Sequence, residues 1–119
     1  MVAYGIYMQW APQALATTAG VAAITLTGLI ELRAMYGGLE MAVGAFALIA
    51  ALVPGMSRVG LLAMGLACAG LGITRLVSAT VAGEFSTYTR QGLALELTLT
   101  ALALWLFLRQ SRETIAGRA

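Results

Sequence analysis

Apolar residues run almost unbroken through three stretches of this chain. The first extends from about Tyr36 to Val53 and stops at the turn dipeptide Pro54-Gly55. Its approach starts as early as Glu31. The second follows Arg58 and covers residues 59–81. The third runs from about Gly92 to Leu108, where Arg109 marks a return to water. A membrane crossing takes roughly 20 apolar residues as helix. None of the three stretches alternates with period two, which argues against a lipid-facing barrel. Backbone groups in hydrocarbon must bond internally, so each stretch is expected to be a helix.

Residues 1–30 are less decisive, because they carry no charge at all. One reading places a further span at about Gln13 to Ile30, weakened by Thr17, Thr18, Thr25 and Thr27. The other ends a helix near Trp10, before Pro12, and makes residues 13–30 an interfacial connector. As helix, residues 1–11 reach only about 16 Å, half the hydrocarbon core. The absence of an early cation leaves no positive n-region for a cleavable signal peptide; the first Arg is Arg33.

Composition agrees with the pattern. Of 119 residues 61% are hydrophobic and only 10% charged, with seven Arg, five Glu and no Asp, Lys or His. A soluble domain carries about 25% charged residues, so lipid is the natural solvent. The length allows about four crossings and no separate soluble domain. The expected fold is therefore all-α: an integral membrane four-helix bundle in one domain over residues 1–119, with a first helix that is short for a span. Arg58, Arg109, Arg112 and Arg118 fall on one side of the membrane, against Arg90 in the opposite loop. The arginine bias puts that side, and the C-terminus, in the cytoplasm. Trp105 and Phe107 then lie near the inner interface.

The informative residues are charges placed among apolar ones. Glu40, Arg75 and Glu96 fall inside the three apolar runs, and Glu31 and Arg33 at the mouth of the first. Connectivity puts all five toward the outer leaflet. Each costs about 2.5–3.5 kcal/mol at the centre of a membrane helix, so pairing is expected: Arg75 with Glu96, and Arg33 with Glu40. In a regular α-helix Arg33, Tyr36, Glu40 and Gly44 share one face; so do Arg75 and Ser78, and Glu96 and Thr100. Gly37, Gly38, Gly65, Ala69 and Gly72 would let helix backbones approach. Two readings stand for the cluster Arg33, Tyr36, Glu40, Arg75, Ser78 and Glu96. It is either polar glue that fixes helix register or a binding site opening outward.

The segment Glu31-Leu32-Arg33-Ala34-Met35-Tyr36-Gly37-Gly38-Leu39-Glu40 is distinctive, as is Arg75-Leu76-Val77-Ser78 followed by Gly83 and, in the next helix, Glu96. Together they resemble a family of small bacterial four-helix membrane proteins catalogued as domain of unknown function 4345. The resemblance covers about residues 2–108. Arg33, Tyr36, Gly37, Gly38, Arg75, Ser78 and Glu96 match the family pattern. The resemblance implies four helices, a connector over residues 13–30, and a bacterial inner membrane. It also implies a first helix that usually starts roughly a dozen residues earlier than this chain allows. In general form the family is similar to DoxX-like membrane proteins, a likeness of fold that carries no activity.

Several chemistries are not expected. Without His, and with Cys68 as the only cysteine, zinc and di-metal sites lack their usual ligands. A Ser/His/Asp triad cannot be assembled, and Gly70-Leu71-Gly72 lacks the strand that a dinucleotide fingerprint needs. Cys68 in its apolar run, and Met35, Met41, Met56 and Met64, read as packing. Glu84 and Arg90 read as solvated rim. No enzyme activity, cofactor, metal or nucleic-acid partner is expected. Three roles remain: a binder of membrane lipid or a small amphiphile in the Arg/Glu/Tyr pocket, an accessory or self-associating subunit of a larger membrane complex, or an oligomeric transporter. No inverted repeat supports the last.

Overall fold

A computed structural model describes residues 1–116, with side chains through Ser111. Arg118 and the side chain of Arg112, both counted in the charge bias, lie outside the described residues. Every regular element among the described residues is helical. There are five helices: α1 (Val2–Trp10), α2 (Ala14–Thr18), α3 (Leu26–Leu52), α4 (Ser57–Ala82) and α5 (Thr87–Ala116). The last three are long and apolar enough to cross a membrane. Only 17–22% of the residues in their apolar windows are buried. Helices this apolar and this exposed need hydrocarbon around them. The chain divides into two compact units, Met1–Ile49 and Ala50–Ala119.

In the first unit, α1 stops where Pro12 holds the preceding residue off the helical region; Ala11 has φ −130° and ψ 53°. Pro12 and Leu15 are fully buried. Thr17 and Thr18 each donate a hydroxyl to the carbonyl of Ala14 at 3.0 Å, turning α2 on itself. Gly20 then adopts φ +70°, which a side chain would resist. The chain runs without helix to Thr25, whose hydroxyl caps α3 by accepting from the Gly28 amide at 3.1 Å. The reading of Gln13–Ile30 as a span is therefore corrected. A left-handed glycine and an N-cap interrupt it, and its last residues belong to α3. That helix starts ten residues before the apolar run at Tyr36, and the charges Glu31 and Arg33 in its first turns conceal the start.

Within α3, residues Arg33–Leu39 form a π-helical turn. α1 lies on this turn through glycines. A side chain at Gly5 would come 2.7 Å from the Gly37 carbonyl oxygen and 2.8 Å from the Met41 amide. One at Gly44 would come 2.8 Å from the Val2 amide. Met8 is buried on the same face of α1.

The second unit is a helical hairpin. α4 ends in a Schellman motif: Gly83 (φ +67°) donates to the Thr80 carbonyl at 3.2 Å, and Glu84 to that of Ala79 at 3.1 Å. Ser86 starts α5, its hydroxyl accepting from the Thr89 amide at 3.2 Å. Arg90 donates from Nε to the Phe85 carbonyl at 2.9 Å, so this rim residue also ties the loop. Gly65, Cys68, Gly72 and Ala79 form the buried stripe of α4. Gly65 faces Ala103 and Leu104, and Gly72 faces Glu96 and Leu97. At the far end Gly60 receives Ala50.

Candidate functional site

The stripe that joins α4 to α5 contains a charge. Arg75 lies three residues past Gly72 and four before Ala79, so helix periodicity points it at the partner helix. There it meets Glu96. Nε lies 3.2 and 3.0 Å from Oε1 and Oε2, and Nη2 lies 2.7 Å from Oε1. The contact is a side-on, two-pronged ion pair, the strongest geometry open to Arg. Glu96 is only 8% exposed, and its buried carboxylate is compensated by that guanidinium.

Small residues make the space. Gly92, one turn before Glu96, would bring a Cβ within 3.0 Å of Arg75 Nε and 3.1 Å of Cζ. Gly72 would bring one within 3.4 Å of Glu96 Cβ. The Tyr88 ring lies 5.9 Å from Arg75 Cζ, a cation–π distance. Thr100 donates its hydroxyl to the Glu96 carbonyl at 2.8 Å.

An open groove of about 460 Å³ borders the pair. Arg75, Thr74, Ser78 and Thr89 form its polar wall, Glu84 stands on its rim, and Leu71 and Ala82 give it an apolar side. Its lining thus offers hydroxyls, a guanidinium and hydrocarbon at once. Among the described residues no three His, Cys, Asp or Glu side chains gather where they could hold a metal.

The other residues singled out in the sequence lie in the first unit. The expected Arg33–Glu40 pair does not form: neither side chain has an ion-pair partner among the described residues. The two lie seven residues apart on one helix, about 10 Å along its axis and beyond the three- or four-residue spacing at which helix side chains meet, and the π turn adds a rotation. Its i→i+5 bonding puts about one extra residue into the helix, which rotates everything beyond it by roughly 100°. Arg33 and Glu40 no longer share a face. Tyr36 is half-buried within the turn. Gly37 seats the Gln9 side chain, while Gly38 has only Gln9 Nε2 near it, at 4.0 Å. Gln9 Nε2 donates to the Arg33 carbonyl at 3.1 Å, tying α1 to the turn.

Gln9, Tyr88 and Gly92 escaped sequence reasoning. Gly92 and Tyr88 precede Glu96 by four and eight residues, a single helical face, and that spacing was the available signal. Gln9 was visible as the only strongly polar residue before Pro12.

Fold and site together define a small membrane protein of apolar helices, with an ion pair locking two of its candidate spans together. The chain belongs to the family described as Domain of unknown function (DUF4345), whose model matches residues 1–107. No curated protein and no solved structure matches it.

Proposed function

We propose that this is a multi-pass protein of a bacterial inner membrane that binds a lipid or small amphiphile in the groove beside Arg75. One observation carries the reading: the groove wall is polar at Thr74, Arg75, Ser78 and Thr89 and apolar at Leu71 and Ala82. A ligand with a hydrogen-bonding head and a hydrocarbon tail matches both halves. Glu96 already balances Arg75, and Glu84 adds a negative charge at the rim. An uncharged or zwitterionic head suits that balance better than an anionic one. On this reading Glu96 and Gly92 fix the guanidinium as a wall of the site.

The charge bias supports a cytoplasmic C-terminus. Arg58 and Arg109 both belong to the end of the hairpin away from Arg75, where Arg58 Nη2 donates to Ser111 Oγ at 2.8 Å. Arg58 lies 5.5 Å from the Phe107 ring and Arg109 5.9 Å from that of Trp105, matching an aromatic belt at the inner interface.

Native mass spectrometry of protein extracted in mild detergent tests the proposal. The wild type is expected to retain an adduct of lipid-like mass. Ser78→Phe fills the groove from an exposed position and should lose the adduct with little change in melting temperature. An adduct held equally by Ser78→Phe, or none on the wild type, would contradict the reading.

A further inference from the structure

The first unit has a groove of its own, about 580 Å³, lined by Ile6, Gln9 and Trp10 of α1 and by Arg33 and Met41 of α3. We infer that this groove is a second and separate site, for one anionic phospholipid, with the phosphate on Arg33 and an acyl chain along Ile6 and Met41.

Charge is the first argument. Of the residues lining this groove only Arg33 is charged. Its side chain is exposed and makes no hydrogen bond, ion pair or ring contact among the described residues. A cation left in this state among Ile6, Trp10 and Met41 attracts an anion whose remainder is apolar. The groove beside Arg75 differs, since Glu84 and Glu96 offset its guanidinium there.

Depth is the second argument. The 27 residues of α3 make a helix about 40 Å long, roughly 10 Å more than a hydrocarbon core. Arg33 lies seven residues after Leu26, about 10 Å along the axis. With Leu52, just before the Pro54-Gly55 turn, taken at the opposite surface of the hydrocarbon, that is the level at which lipid phosphates meet the acyl region. Trp10, at the end of α1 and 82% exposed, lines the same groove, and indole rings favour this level.

Pre-organisation is the third. Gln9 Nε2 holds the Arg33 carbonyl, and the Gln9 side chain rests on Gly37 where a methyl group could not fit. The π turn and the end of α1 are thereby fixed to each other before any lipid arrives, which lowers the ordering cost of binding.

The test uses the protein with the Arg75 groove filled by Ser78→Phe, titrated in mild detergent with phosphatidylglycerol and, separately, phosphatidylcholine, and read by native mass spectrometry. Phosphatidylglycerol should bind more tightly. On that background Arg33→Gln should weaken it about fivefold, the share of one interfacial cation, and Arg33→Lys should restore most of it. Equal binding of the two lipids, or undiminished phosphatidylglycerol binding by Arg33→Gln, overturns the inference. Should Arg33→Gln fail to accumulate, Trp105→Phe leaves Trp10 as the sole indole for quenching by brominated lipids. Stronger quenching by the anionic lipid supports the site, and equal quenching by both refutes it. Loss of the Ser78-sensitive adduct alone would bear on the Arg75 groove and not on this one.

Discussion

Gly92 lies directly under the guanidinium of Arg75: a β-carbon there would approach Nε to 3.0 Å and Cζ to 3.1 Å. The ion pair that joins α4 to α5 therefore depends on a missing side chain as much as on its two charges. A single methyl group could be absorbed by a small shift of the long Arg side chain, but a branched residue could not. Gly92→Val should cost about 1–3 kcal/mol, the usual range for overpacking. Gly70, in the same helix as Arg75 but with no neighbour within 4 Å, makes the control. Gly70→Ala should stabilise by up to about 1 kcal/mol through helix propensity alone. Melting temperatures of the two variants in one detergent check the opposite signs.

The pair itself should behave asymmetrically. Glu96→Gln leaves Arg75 uncompensated between two helices. Breaking a fully buried pair costs about 3–5 kcal/mol. With the Arg75 side chain 30% exposed, about 2–3 kcal/mol is expected. Replacing both residues by Met removes both charges and should recover most of that loss. Thermal or denaturant unfolding of the single and double variants gives the comparison, and a double variant no more stable than the single one would count against a mainly electrostatic cost.

Closer packing occurs in the first unit. A β-carbon at Gly5 would meet backbone atoms of Gly37 and Met41 at 2.7 and 2.8 Å, and backbone cannot swing aside. Gly5→Ala should therefore lift α1 from α3 and destabilise by about 3 kcal/mol, the upper end of overpacking. Limited proteolysis within residues 11–25 should become faster in the variant.

Gln9 makes a subtler contribution. Gln9→Leu removes the donor to the Arg33 carbonyl and should cost about 0.5–1.5 kcal/mol, the net worth of one hydrogen bond. Hydrogen exchange of the amides from Arg33 to Leu39 should accelerate selectively, since the π turn loses its outside partner.

Much of this architecture could be read before any coordinates. The apolar runs announced three long helices, and the cost of a charge in hydrocarbon singled out Arg75 and Glu96, which the structure brings to 2.7 Å of each other. What stayed hidden has local causes. The first turns of α3 carry the charges Glu31 and Arg33, so the unbroken apolar run located the span at Tyr36, with an approach from Glu31, instead of at Leu26. Arg33 and Glu40 share a face only in a regular helix and even there stand two turns apart, and the π turn between Arg33 and Leu39 rotates them onto different faces. The role of Gly92 needed the partner helix, because a glycine's use as a seat depends on what sits there. Arg33 and Tyr36 belong to the first unit and Arg75 to the second, and a groove lies beside Arg33 in the one and beside Arg75 in the other.

The claim on which the functional account depends is that Arg75, held by Glu96, forms the polar wall of a ligand groove. Native mass spectrometry of the Arg75→Met, Glu96→Met double variant addresses it directly, because both charges are removed together and neither is left uncompensated between the helices. The account predicts a folded protein whose melting temperature stays within a few degrees of wild type, about 1 kcal/mol, and which no longer carries the lipid-like adduct that Ser78→Phe also removes. A folded double variant that retains the adduct at wild-type occupancy would contradict it.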